Sequence, residues 1–304
     1  MQLVNKEKAK TLITEASKDN TAMATVNTET IEDVKSDENL EENKLSIEDA
    51  LNITNDVIEE ESNKLNNKWS IATNAAPVYF NTLGGQGSSI DPQFNNNSKS
   101  GEVNMSYGIS ASYAVNKKLS IRSGINRVNL GYNTNDIVVF QSVGLSSSSS
   151  ALQNVNSSSN SADAISLISS ETLDTSASES IVASNASINQ ALGYIEIPLE
   201  IQYTLSDKKF GVNLIGGFSS FFLNNNEIFS EEENGAKTFL GEASNIHKMS
   251  YSANFGLGLN YKVSKRFDLN LEPIFKYQFN TFNNTSGNFT PFFIGVYTGF
   301  AIKF

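Results

Sequence analysis

The stretch Gly193–Tyr203, GYIEIPLEIQY, decides the fold. Ile195, Ile197, Leu199, Ile201 and Tyr203 fall on every second residue, and Tyr194, Glu196, Pro198, Glu200 and Gln202 fall between them. A period of two is the signature of a strand, with one set of side chains on each face. One face is then wholly apolar, and the other carries two carboxylates and a proline. A soluble sheet turns its apolar face inward. The rest of the chain settles whether this one does.

Working outward, seven more alternating segments surround it. The set is Trp69–Phe80, Val103–Val115, Leu119–Tyr132, Ala191–Leu205, Phe210–Leu223, Met249–Val263, Phe267–Phe279 and Phe292–Phe304. Their lengths suit strands that cross a bilayer at a tilt. In Met249–Val263, Tyr251, Ala253, Phe255, Leu257, Leu259 and Tyr261 alternate with Ser252, Asn254, Gly256, Gly258 and Asn260. The segment Leu119–Tyr132 slips phase near Ile125–Val128, which suggests a bulge. The segment Trp69–Phe80 alternates least cleanly, with Thr73 and Pro77 on its apolar face.

The connections alternate in length. Short ones, VNKKLS (115–120), LSDKKF (205–210) and VSKRFD (263–268), each place two basic residues in a turn. Long ones run over 81–102, 133–190, 224–248 and 280–291. An up-and-down meander puts all short turns on one rim and all long loops on the other, which is the asymmetry of an outer-membrane barrel. The predicted fold is therefore all-β: an eight-stranded antiparallel up-and-down transmembrane β-barrel over 69–304. Bulky apolar and aromatic residues face lipid. Gly, Ser and Asn face an interior that eight strands leave just wide enough for side chains.

That inversion places Glu196 and Glu200 in the lumen. Buried carboxylates need partners. The inward positions of other strands offer Arg122, Lys262, Lys276 and Lys303, with Asp268 and Glu272 as further acids. A lumenal network of ion pairs and hydrogen bonds is expected, structural in role.

Residues 1–68 read differently. They contain no Phe, Tyr or Trp, and hold 16 acids against 8 bases of a chain whose net charge is −11. Such a segment buries too little apolar surface to offset chain entropy and reads as a disordered acidic tether. A short helix near 46–62 is allowed, with Ser46 and Asp49 as a capping box ahead of Leu51, Ile53, Val57 and Ile58. No apolar run is long enough for a transmembrane helix, and no signal peptide is visible at Met1.

Composition excludes several chemistries. The chain has no cysteine and one histidine, His247, so thiolate and multi-histidine metal sites are out. The acidic balance argues against nucleic acid. No catalytic, cofactor-binding or metal residue is expected. His247, in a loop with Glu231, Glu232, Glu233 and Glu242, is the one candidate for an enzyme acting at the outer rim. The acidic triplet 231–233 reads as a solvated charge run, with a bridging cation as the alternative. The serine-rich part of 133–190, over 146–187, reads as a mobile surface loop, open to a role in adhesion or ligand binding. TNDIVVF (134–140) is expected to extend the preceding strand.

YIEIPLEIQY (194–203) resembles a strand shared by the PorT-like outer membrane protein beta-barrel family of Bacteroidota, in which an aromatic residue and acid–Ile–Pro–Leu open the strand after the longest loop. LSIRSGI (119–125) resembles that family's third strand and VYTGFAIKF (296–304) its last. GSSIDPQFNNNSKSG (87–101) is similar to a segment of flavobacterial members. In that subgroup an inner-membrane span and an anti-sigma-like region precede the barrel, and this chain shows neither. The resemblance implies a truncated relative whose first 68 residues cross the periplasm. It implies an outer-membrane location and an envelope-linking or signalling role without a pore or an enzymatic activity. Implied partners are outer-membrane lipids, the barrel-assembly machinery and a periplasmic or inner-membrane signalling protein. The terminal Phe304, closing a strand with outward Phe292, Ile294, Val296, Phe300 and Ile302, resembles the signal by which such barrels are recognised for insertion.

Overall fold

The computed structural model describes residues 68–84, 86–141, 152–157, 165–172 and 183–304. The acidic tether and its short helix lie outside the described residues. Among the described residues there are eleven strands: β1 Trp69–Leu83, β2 Lys99–Ala114, β3 Leu119–Gln141, β4 Val155–Ser157, β5 Ile165–Ser169, β6 Ala183–Asp207, β7 Phe210–Glu232, β8 Lys237–Ala243, β9 Met249–Lys262, β10 Phe267–Phe279 and β11 Thr290–Lys303.

Eight of them pair antiparallel in the order β1–β2–β3–β6–β7–β9–β10–β11, and β11 pairs with β1 to complete the ring. At the seam, Trp69 and Phe304 exchange backbone bonds of 3.3 and 2.9 Å. The short turns after β2, β6 and β9 share one rim with this seam; the long connections share the other. The closed ring leaves none of these eight strands with an unpaired edge, which hydrocarbon requires.

The inversion read from GYIEIPLEIQY is realised. Ile197, Leu199, Ile201 and Tyr203 are 43–62 % exposed on the outer wall, while Glu196 and Glu200 are 0 and 2 % exposed in the lumen. The same outer wall carries Ile109, Phe218, Phe255, Leu269 and Phe300. Aromatic pairs mark its borders, among them the tilted pairs Trp69–Tyr113 (5.0 Å) and Phe210–Tyr261 (4.8 Å) at the short-turn rim and the stacked pair Tyr251–Phe279 (6.0 Å) toward the loops.

Of the four prolines in barrel strands, Pro291 stands near the start of β11, and the other three lie mid-strand, where each interrupts only one of its two ladders. Pro198 pairs with Ser219 of β7, while the β3–β6 register skips from Ser123↔Leu199 to Asn126↔Glu196. Ser123 Oγ donates to the Pro198 carbonyl at 2.8 Å across that gap. Pro273 likewise interrupts β9–β10, and Pro77 interrupts β1–β11. A missing N–H is tolerated because the other neighbour holds the strand.

The phase slip near Ile125–Val128 is not a bulge. Both registers of β3 run without a shift through those residues. Instead the apolar set changes sides: Ile121 and Ile125 face lipid, whereas Val128, Leu130 and Tyr132 are buried inside. The irregularity lies in β2, between Gly101 and Ser106.

Beyond the membrane the barrel continues. β3, β6 and β7 run about ten residues past the span; β5 pairs with β3, β8 with β7 and β4 with β8. TNDIVVF does extend the third strand. The serine-rich region is correspondingly less loop-like than its composition suggests. Leu152, Val155 and Leu167 are buried in a second apolar core with Ile90, Phe94, Ile137, Ile188, Ile228 and Leu240. Residues 146–151, 158–164 and 173–182 lie outside the described set.

Candidate functional site

The lumen is layered from one rim to the other. Next to the short turns lies an open vestibule of about 160 Å³, lined by Ser70, Ser112, Ser120, Gln202, Asn213 and Asn260 among others. Above it Arg122 spans two acids. Its Nε and Nη2 donate to Glu200 Oε2 at 2.9 and 2.7 Å, and its Nη1 donates to both Glu272 oxygens at 2.9 and 2.7 Å. Asn254 Nδ2 donates to the other Glu200 oxygen at 3.1 Å.

One step higher, Lys276 is ion-paired with Glu196, both essentially inaccessible. Ser219 Oγ donates to the same Glu196 oxygen at 2.5 Å and Asn126 Nδ2 to the other at 3.3 Å. The ammonium also lies 5.6 Å from the centre of the Phe293 ring and 5.1 Å from that of Tyr297, a favourable placement for a desolvated cation. A chamber of about 30 Å³ separates the two pairs, lined by Asn74, Asn126, Arg122, Glu200, Lys276 and Tyr297; it has room for a water or two.

The layer above is apolar. Val78, Phe80, Leu130, Leu192, Tyr194, Phe221 and Phe293 fill the bore, with Phe221 edge-on to Tyr194 at 5.7 Å and to Phe293 at 5.9 Å. Over this plug the loops are tied to one atom. The carbonyl of Ser89, in the β1–β2 loop, accepts from Asn154 Nδ2 at 3.0 Å and Asn245 Nδ2 at 2.8 Å. These amides also donate to the Asn284 and Asn283 carbonyls, so all four long connections meet there. Gly87 makes the crossing possible: its φ is +113°, and a Cβ there would lie 2.8 Å from the Ser286 carbonyl oxygen.

Of the eight charged residues singled out in the sequence, five are brought together: Arg122, Glu196, Glu200, Glu272 and Lys276. The other three sit at the short-turn rim. Lys303 pairs with Asp268. Lys262 pairs with Asp207 in a half-exposed contact rather than with a lumenal acid, because its inward position lies at the very end of β9. The hydrogen-bonding partners Asn126, Ser219 and Asn254 were not singled out; all three occupy inward positions, and alternation would have found Ser219 and Asn254, whereas Asn126 lies where the phase of its segment slips.

The cluster is chemically closed. Both oxygens of Glu196, Glu200 and Glu272 are engaged, and a packed plug lies between them and the loop side. His247 is also committed: Nδ1 lies 3.1 Å from the Asn280 carbonyl, to which it can donate, and Nε2 lies 3.4 Å from Asn283 Nδ2. Among the described residues no group of three or more His, Asp or Glu side chains is arranged to hold a metal ion.

At the loop side, Lys99 Nζ donates to the Phe94 and Asn97 carbonyls at 2.8 and 2.7 Å. Burial lowers this ammonium to about 8, with Asp136 pulling in the opposite direction. Lys99 lies above Val103, where the lipid-facing row of β2 begins.

Among solved structures, the chain is similar to Neisserial surface protein A (12 % identity, 78 % of this chain and 97 % of that one, TM-score 0.37). It is also similar to the outer membrane protein OprG from Pseudomonas aeruginosa (10 %, 78 % and 96 %, TM-score 0.39) and to the outer membrane protein AlkL in DMPC bilayers (14 %, 78 % and 90 %, TM-score 0.40). At those scores the likenesses add nothing to the strand pairing itself. No curated protein sequence matches the chain. The family described as Outer membrane protein beta-barrel domain matches residues 79–280, two thirds of a sequence whose strands close into a lipid-facing ring, and the chain belongs to that family of outer-membrane β-barrels.

Proposed function

We propose that this protein is a sealed outer-membrane barrel that neither conducts nor catalyses, and whose role is carried by the segments at its two rims. The observation that carries the reading is the succession of closures along one bore: the Arg122–Glu200–Glu272 layer, the apolar plug and the loops tied at Ser89. His247 argues against a rim enzyme, since both ring nitrogens face asparagine groups of the neighbouring loop.

The finer placement among PorT-like barrels of Bacteroidota rests on YIEIPLEIQY, LSIRSGI and VYTGFAIKF. In this reading the long loops face outward and the first 68 residues enter the periplasm at Trp69. Fully extended they would reach roughly 200 Å, enough to meet a periplasmic or inner-membrane partner in an envelope-linking or signalling role. Membrane lipids and the barrel-assembly machinery are the remaining partners.

Reconstitution of the full chain into planar bilayers tests the sealed lumen. No unitary conductance is expected, and stable porin-like steps would refute it.

A further inference from the structure

We propose that the short-turn rim is a cationic collar that selects anionic phospholipid headgroups. The inference rests on the membrane-spanning reading of the barrel. The barrel has four strand junctions at this rim, three closed by tight turns and one by the seam. The turns carry Lys117–Lys118, Lys208–Lys209 and Lys265–Arg266, all exposed, and Lys68 is exposed beside the seam. Positive charge is therefore distributed around the whole circumference rather than gathered in one patch.

The turns are built to project these side chains. Asn116 Oδ1 accepts from the backbone of Lys118 at 2.8 Å and of Leu119 at 2.9 Å, which pins the first turn tight against the barrel. In the third, Val263 and Ser264 donate to the Phe267 carbonyl at 3.0 and 3.1 Å.

Two acids of this rim are engaged outside the turns: Asp268 is buried and paired with Lys303, and Asp207 is paired with Lys262. The connection 224–248 at the opposite rim has the contrary balance, with Glu227, Glu231, Glu232, Glu233 and Glu242 against Lys237 and Lys248, and with Lys237 already paired with Glu231.

Directly above the collar lies an aromatic shelf. Trp69–Tyr113, Phe210–Tyr261 and Phe267–Phe300 ring pairs sit on the lipid-facing wall at 5.0, 4.8 and 5.5 Å. Such rings settle at headgroup level. Lys209 Nζ is 5.5 Å from the Tyr261 ring centre, which places that ammonium next to the shelf, at the depth of lipid phosphates. Basic groups held this close to an anionic surface are attracted to it within a Debye length. In an outer membrane the short-turn rim would meet the phospholipid leaflet.

The test uses the full chain reconstituted in phosphatidylcholine vesicles with trace spin-labelled phosphatidylglycerol or phosphatidylcholine. The motionally restricted fraction of each label gives a relative association constant. Phosphatidylglycerol should be preferred by roughly threefold at low ionic strength, with the preference fading toward unity near 1 M salt. Replacing the six turn cations with Gln should abolish the preference, whereas K237Q/K248Q at the other rim should leave it intact. K208Q/K209Q alone should remove part of it, which covers the case of a sixfold variant that does not insert.

An absent preference in the parent overturns the proposal; that would also be the result if acids of residues 1–67 occupied the collar. Retention of the preference in the inserted sixfold variant overturns it equally. A parent that inserts into neither lipid refutes the membrane reading itself, and heat-modifiable gel mobility reports that separately.

Discussion

Arg122→Met tests the lumen most sharply. The substitution keeps an unbranched stem and deletes the guanidinium, and with it four hydrogen bonds, two to Glu200 and two to Glu272. Both carboxylates then remain in a space where the three side chains are 12, 3 and 10 % exposed. Breaking a buried pair by removing one partner costs about 3–5 kcal/mol. The vestibule reaches Glu272 from the short-turn side and gives its charge some water, whereas Glu200 keeps Asn254 alone for hydrogen bonding. The loss should therefore fall at the lower end, about 3 kcal/mol. Glu200→Gln in the parent leaves Arg122 bound to Glu272 and should cost less, about 1–2 kcal/mol. R122M/E200Q/E272Q removes all three charges together and should recover to within about 1 kcal/mol of the parent. Urea unfolding from lipid vesicles, followed by the single tryptophan, Trp69, at the barrel rim, reads all four. Unfolding of R122M within about 0.5 kcal/mol of the parent would refute the reasoning; so would a triple variant no more stable than R122M.

Gly217 and Gly216 offer a matched pair: a Cβ at Gly217 would lie 2.3 Å from the Leu199 carbonyl oxygen and 2.7 Å from Glu200 Cα, while one at Gly216 meets nothing within 4 Å. Gly217→Ala should destabilise by about 1–3 kcal/mol and Gly216→Ala should be neutral or slightly stabilising in the same unfolding assay. The Lys99 ammonium, lowered to about 8 in the folded protein, loses its proton there before it does in the unfolded chain. The unfolded state then binds more protons, so stability rises as pH climbs from about 8 to the ordinary lysine value. Amide exchange at Phe94 and Asn95, whose N–H groups donate to the Asp91 and Pro92 carbonyls, should slow between pH 7.5 and 9.5 once corrected for intrinsic rates, and Lys99→Gln should remove that dependence. Cysteines placed at Asn234 and at Lys208 in this cysteine-free chain should differ on intact cells, with only the first reacting with an impermeant maleimide; equal or reversed labelling refutes the outward placement of the long loops.

The spanning strands were legible because lipid and lumen impose opposite demands on alternate residues. Phe267–Phe279 keeps one phase from end to end, and its bounds are those of β10. Apart from TNDIVVF, the parts above the membrane were not legible, for the same reason reversed. Once a strand leaves lipid, its outer face meets water and its inner face meets the apolar plug or the cap. In β6, Ile195 and Ile197 face out, but Ile188 and Leu192 face in. In β1, Trp69 and Ile71 face out, but Val78 and Phe80 face in, which explains why that segment alternated least cleanly. What looks like irregularity in sequence is a single strand passing between two solvents. The loop knot was hidden for a different reason. It is made from Asn and Ser side chains that bond to backbone carbonyls, and such residues carry the same composition whether they are tied or free. The charged cluster was legible as a set of inward residues, but which cation meets which acid depends on the stagger between strands, and alternation does not encode that.

The seam between β1 and β11 has a consequence for how the chain is made. β1 is synthesised first among the barrel strands and β11 last, yet each is the other's neighbour. Until β11 has been made, β1 carries a row of backbone donors and acceptors with no mate, an edge that hydrocarbon does not tolerate and that invites pairing with other chains. Insertion as a closed ring must therefore follow synthesis of β11. A message cut short within β11 would not yield a smaller barrel. It would yield an open sheet with two sticky margins, fit for degradation rather than for the membrane.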